Sequence, residues 1–144
     1  MSASKSAEWG AFLLRVTASF FMLYGHGWPK LVQLFSGNPI HFADPLGIGP
    51  VLSFILVVFS EFLCAVFILA GLFTRLSAIP LIFSMAVAAF IHHGQDPFQS
   101  KELALLYLLI YITLFLTGPG KFSLQHGLGL SVKISGKVTK FLVE

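Results

Sequence analysis

Along this chain, long apolar runs alternate with short polar breaks, and four runs are long enough to be elements in their own right. They cover about residues 9–28, 51–73, 76–92 and 102–117. At 1.5 Å per residue these helices would reach roughly 24–34 Å, enough to cross a hydrocarbon layer of about 30 Å. None of the runs alternates apolar with polar positions, so helices rather than strands are expected. The pattern predicts an all-α, integral membrane four-helix antiparallel bundle. The first run is read as a span and not as a cleaved signal peptide. Arg15 interrupts its core, and no small-residue cleavage site follows before Trp28 and Pro29.

The breaks add detail. FTRLSAIP between the second and third runs is too short for anything but an antiparallel turn. Residues 31–50 form a longer loop with Asn38-Pro39, Asp44-Pro45 and glycines at 37, 47 and 49, a turn-rich composition. A short lid over one mouth of the bundle is the expectation for it; His41 and Asp44 within it carry no further signal. Gly118-Pro119-Gly120 ends the fourth run sharply. The domain is expected over 1–124. Beyond it, 125–144 reads as a basic tail at the membrane surface, held partly by its lysines.

A few polar positions fall inside the runs, and these carry the chemistry. A charge at bilayer depth is costly, so it faces the bundle interior and finds a partner. Arg15, Ser19, Met22 and His26 lie within roughly 60° of one another around the first helix, one polar stripe on an apolar rod. Glu61 sits in the middle of the second run, flanked by Cys64. His92 lies above Ala88 and Ala89 on the third. On the fourth, Glu102 shares a face with Leu105, Leu106, Leu109 and Thr113, with Tyr107 and Tyr111 on the opposite side. Counting from the cytoplasmic ends, Arg15 lies about 9 Å deep, Glu61 about 18 Å, and Glu102, His92 and His26 about 23–25 Å. We therefore expect a polar core of Arg15, His26, Glu61, His92 and Glu102 centred on Glu61, supported by Ser19, Lys30, Cys64, Arg75 and His93. Blander readings compete with it. Arg15 can snorkel to the interface, Glu61 can serve only as a helix-to-helix hydrogen bond, His92, His93 and Glu102 can be solvated at a loop, and Cys64 can be plain packing. No metal site is expected, because the histidines lack the close i, i+4 ligand spacing.

Composition sharpens this picture. The 144 residues are 56% hydrophobic and only 10% charged, with sixteen Phe, a balance that water-soluble domains do not show. The net charge of +3 argues against nucleic-acid binding. One cysteine, Cys64, excludes an intramolecular disulfide and a CxxC redox pair. Lys5, Arg75, Lys121, Lys133, Lys137 and Lys140 fall on the side of the termini, and only Lys30 and Lys101 on the other. Six against two puts both termini in the cytoplasm. The chain carries no flavin, haem or nucleotide motif.

Three segments together resemble the DoxX family of membrane proteins: FLLRVTASFFMLYGHGWPKL with its mid-run arginine and HG-x-x-K pattern, SEFLCAVFILAGLFTRLSAIPL with its glutamate and L-F-T-R turn, and HHGQDPFQSKELALLYLLIYITLFLTGPGKFSL with its GPG-x-x-S-L ending. The likeness runs from about Gly10 to Leu124. Gln125 departs from it, standing where these proteins often carry an aspartate, and the tail lies outside the pattern. The resemblance implies a four-helix protein of the bacterial or archaeal cytoplasmic membrane, with Arg15, His26, Lys30, Glu61, Arg75, His92 and Glu102 at the family's matching positions. It also implies an association with a thiosulfate:quinone oxidoreductase subunit, with membrane complexes handling oxidative stress, and with quinone or catechol detoxification. More distant relatives are assembly or cargo factors, so the fold is implied more firmly than the chemistry.

The function expected first is a redox-associated subunit that binds a quinone or another small molecule, is at most non-catalytic or quinone-interacting itself, and works with a separate redox partner protein. The expected partners are the lipid bilayer, that redox protein and a further copy of the chain, and no nucleic acid. The alternative is a non-enzymatic membrane scaffold or assembly factor. Transport of a small solute ranks last, because four short helices leave little room for a pore and no inverted repeat is present.

Overall fold

The computed structural model describes residues 3–129 and 141–142, so most of the expected tail lies outside the described residues. Among these residues the chain is all-helical, without a strand. The first helix, α1, is a continuous rod over 3–34, made of Ala3–Met22, a wide π-type turn at Leu23–Gly27 and Trp28–Leu34. Then come α2 (Pro50–Ala70), α3 (Thr74–His92), α4 (Phe98–Thr117) and the single turn α5 (Leu124–Gly127). α2, α3 and α4 are each long and apolar enough to cross a membrane. α1 is not among them, since Arg15, His26 and Lys30 dilute its apolar run.

Several boundaries differ from expectation, each for a local reason. α1 runs beyond Trp28 although Pro29 follows. Proline lacks an N–H and crowds the preceding turn, and the wide turn at Leu23–Gly27 lies where that crowding would fall. α2 stops at Ala70 because Gly71 adopts a left-handed conformation (φ 71°). Its N–H donates to Ile68 O at 2.9 Å, and Leu72 N–H donates to Phe67 O at 2.8 Å, the paired closure that ends many helices. α4 begins at Phe98, four residues before the expected start, directly after the extended Pro97.

The core is small and tightly filled. Met22, Ala65, Ile68, Ala78, Leu81, Tyr111 and Leu114 are fully buried. α3 and α4 lie side by side along much of their length, and the lower part of α1 lies on Ala65–Ala70. At Gly27 the backbone of α1 meets that of α2 so closely that an added Cβ would fall 2.3 Å from Glu61 O. Outward, the helices present Phe21, Phe83, Phe90, Leu109 and Leu116, all more than half exposed. Such a continuous apolar surface would be a liability in water and fits contact with acyl chains.

Candidate functional site

A cavity of about 590 Å³ opens between the upper halves of the helices and the 35–49 loop. Its polar end is built by turns of one type. Three π-type turns, Leu23–Gly27, Phe59–Cys64 and Val87–His92, occur on three different helices, and all three contribute lining residues. Each inserts an extra residue into its helix and re-aims the side chains that follow, and such turns gather at functional sites. His26, Glu61 and His92 each lie on one of them.

Glu61 is buried, and its Oε2 accepts a hydrogen bond and ion pair from Lys30 Nζ. Lys30 lies four residues past His26, so it extends the polar stripe of α1 by one more turn. The half-buried His26 ring meets the Tyr107 ring edge-to-face at 5.9 Å, and Tyr107 stacks on Tyr111 at 6.0 Å. Ser60 completes this end. His92 and His93 stand at the rim with ring centroids 4.5 Å apart, and His93 Nδ1 lies 2.7 Å from Asp96 Oδ2. The remaining wall is mostly apolar, including Phe42, Pro45, Leu46 and Ile48 of the loop.

The loop covers the cavity because Asp44 ties it down. The Asp44 carboxylate accepts from Ser53 Oγ at 2.8 Å, Gly49 N at 2.8 Å and Ile48 N at 3.0 Å. These bonds, the one from Ser53 foremost, hold the Asp44 carboxyl below its ordinary range. Phe42 packs on Phe54 at 5.1 Å. A loop that carried no chemical signal in the sequence is therefore anchored by one of its own side chains.

The structure brings together only part of the expected polar core. Arg15 is buried but lies at the other end of the molecule. Its Nη1 donates to Ile68 O (2.8 Å) and Leu69 O (2.7 Å), and its Nη2 donates to Phe122 O (2.6 Å). It caps the carbonyl end of α2, adding a second donor to Ile68 O, which also accepts from Gly71 N, and supplying one to Leu69 O. This end lies about 10 Å along the helix from Glu61, and Arg15 does not join the Glu61 network. Arg75 does the same for α4, with Nε donating to Phe115 O at 3.0 Å and the guanidinium 4.3 Å from the Phe141 ring. Glu102 is exposed and does not line the cavity. α4 turns Tyr107, Tyr111 and Leu114 inward and its leucine face outward, the reverse of the expectation, because leucine is at home against lipid and phenol hydroxyls are not. Ser19 and Cys64 are buried in the packed interior. Gln125 Oε1 accepts from Phe73 N at 3.0 Å, so the amide supplies an acceptor oxygen at the position where the resembling proteins often carry an aspartate.

Three lining residues escaped the sequence reading or were undervalued by it. Lys30 was a supporting residue and proves to be the direct partner of Glu61; its i+4 relation to His26 was the available signal. Tyr107 and Ser60 carry no charge to single them out in the sequence, and Tyr107 lies on the face of α4 opposite Glu102. Among the described residues, no group of three or more His, Cys, Asp or Glu is placed to hold a metal ion.

The family model for DoxX matches residues 10–94, more than half of the chain and the part that supplies His26, Lys30, Glu61 and His92. No curated protein and no solved structure matches the chain.

Proposed function

Since the chain belongs to the DoxX family, we propose that it is a multi-pass protein of the cell membrane and a redox-associated subunit that binds a quinone or similar small ring molecule beside a partner oxidoreductase. In this reading α1 crosses the membrane with α2, α3 and α4 as a four-helix antiparallel bundle, and both termini lie in the cytoplasm. The cavity then opens toward the outer leaflet. The observation that carries the reading is the cavity itself: about 590 Å³, apolar along most of its wall, with hydrogen-bonding groups gathered at one end. That volume and layout suit a small ligand whose ring is held by apolar contacts and whose oxygens are oriented by a few polar groups.

The chemistry available there is proton exchange and hydrogen bonding rather than covalent catalysis. His26 beside the Lys30–Glu61 pair can donate to or accept from a ring oxygen, and the Tyr107 hydroxyl offers a second partner. Electrons arrive from and leave to the partner subunit.

The test is a titration of the purified protein in nanodiscs with a naphthoquinone, read by quenching of intrinsic Trp fluorescence. We expect saturable binding in the micromolar range. Ala104 lines the cavity, so Ala104→Phe narrows it without adding a Trp reporter and is expected to weaken binding at least roughly tenfold, a loss of about 1.4 kcal/mol, with helical content unchanged. Wild-type protein that binds no quinone would refute the proposal.

A further inference from the structure

Two features of the cavity restrict what can occupy it. The first is its charge. Lys30 supplies the one ammonium group and Glu61 the one carboxylate among the lining residues, and each is already bonded to the other. At the rim, His93 is engaged by Asp96. The polar end is thus electrically closed. An anionic ligand would have to take Lys30 from Glu61 while sitting beside that carboxylate. A cation would meet the same obstacle from Lys30. In a poorly solvated pocket like charges at contact distance repel strongly, so both pay heavily. An uncharged ring with carbonyl or hydroxyl oxygens pays nothing of the kind.

The second feature is the side wall. Leu56, Phe59, Phe83 and Leu103 line the cavity and are 46–60% exposed, so the wall they form is not sealed by a second layer of packing. The outer segment of α2, Pro50–Val58, takes its helix neighbour from Trp28–Leu34, whereas α2 meets α3 lower down, through Phe59–Cys64 and Ala65–Ala70. α2 and α3 therefore part toward the loop end, and the gap faces where acyl chains lie.

Building on the quinone-type reading above, we infer that the cavity is filled sideways from the bilayer by uncharged, lipid-soluble ring compounds, and that the Lys30–Glu61 pair is the specificity-determining element that rejects their anions. On this view a sulfur oxyanion or a phenolate is not the ligand of this cavity, and reaction of such species takes place on a partner.

The experiment compares a neutral naphthoquinone with a naphthoquinone sulfonate of the same ring size, using full-length protein in nanodiscs. Wild type is expected to bind the sulfonate at least roughly tenfold more weakly than the neutral ring. Glu61→Gln keeps the size of the side chain and frees Lys30, so sulfonate affinity should rise about tenfold. Adding Lys30→Met to Glu61→Gln should remove that gain. Should the single variant not fold, the wild-type ratio tests the exclusion of anions, and Glu61→Asp, which draws the carboxylate back from Lys30 by one methylene, tests the pair. Sulfonate affinity should rise in Glu61→Asp, and no gain would overturn the role of the pair. Equal wild-type affinity for both probes would overturn the inference while leaving the ring-binding reading intact. A Glu61→Gln protein that folds without gaining sulfonate affinity would overturn the role of the pair in the same way. Failure of the neutral naphthoquinone to bind wild type removes the ring-binding reading and this inference with it.

Discussion

Gly27 and Gly25 are two residues apart on the same turn of α1, and the structure gives them opposite demands. A Cβ on Gly27 would stand 2.3 Å from Glu61 O and 2.8 Å from its carbonyl carbon, backbone atoms that cannot swing aside. A Cβ on Gly25 meets nothing within 4 Å. Gly27→Ala should therefore destabilise the protein by about 1–3 kcal/mol through overpacking. It should also loosen the Lys30–Glu61 pair, because it displaces the turn that carries Glu61. Gly25→Ala should be neutral or stabilising by about 0.5–1 kcal/mol, the usual gain for glycine replaced within a helix. Thermal unfolding of both variants in one detergent checks the contrast, and similar midpoints would contradict the close crossing. At this scale the sequence named the charged residues well and their partners poorly. The cost of a charge in lipid identifies Arg15 and Glu61 from their position inside apolar runs. Whether an arginine answers a carboxylate or the carbonyls of a helix end depends on where the neighbouring helix stops. For α2 that is set by the left-handed Gly71, and Arg15 follows it.

The end of α4 was legible because Gly118 stands there as a strong breaker. Its start after Pro97 was missed because the polar stretch 99–101 reads as loop, and other boundaries were missed where two local effects opposed each other. Pro29 argued for an end to α1, and the wide turn before it cancelled that argument. The π-type turns have no composition of their own, which is why the sequence did not show that His26, Glu61 and His92 share this geometry. The 35–49 loop illustrates the converse, since its turn residues gave away its irregularity and a lid was expected, but its anchor was not. Asp44 holds the lid through bonds that its ionised form accepts, which is why its pKa is lowered. For a carboxyl so shifted, the stabilisation is fully present above the unfolded value near 3.8 and is lost as pH falls through the lower folded value. Lid closure should thus be constant through neutral pH and weaken only in acid, below about pH 4. Asp44→Asn should open the lid at every pH and flatten that acid dependence. Hydrogen exchange at the amides of Ile48 and Gly49 measures it directly. Exchange unchanged by the substitution would mean that packing of Phe42 on Phe54, and not Asp44, closes the cavity.

For the molecule as a whole, the decisive question is which side of the membrane the cavity faces, because the partner proposed above would have to approach from that side. The two ends differ in chemistry. One holds the cavity, its lid and the Lys30–Glu61 pair, and the other holds Arg15 and Arg75 on helix-end carbonyls and Lys121 paired with Glu8 at 2.6 Å. The excess of basic residues at the second end is the feature that retains a membrane segment on the cytoplasmic side. Cys64 makes the proposal easy to test, since it is 3% exposed and its native thiol should remain silent toward a bulky maleimide. Asn38→Cys places a thiol in the exposed loop, and His126→Cys places one at the opposite end. In intact cells a membrane-impermeant maleimide should label Asn38→Cys and spare His126→Cys, and after lysis both should react. The reverse pattern would turn the molecule over. The lateral gap between α2 and α3 would still face acyl chains, because it lies on a side wall and not on an end. The lid and the polar end would then address the cytoplasm, and the partner oxidoreductase would have to be sought there.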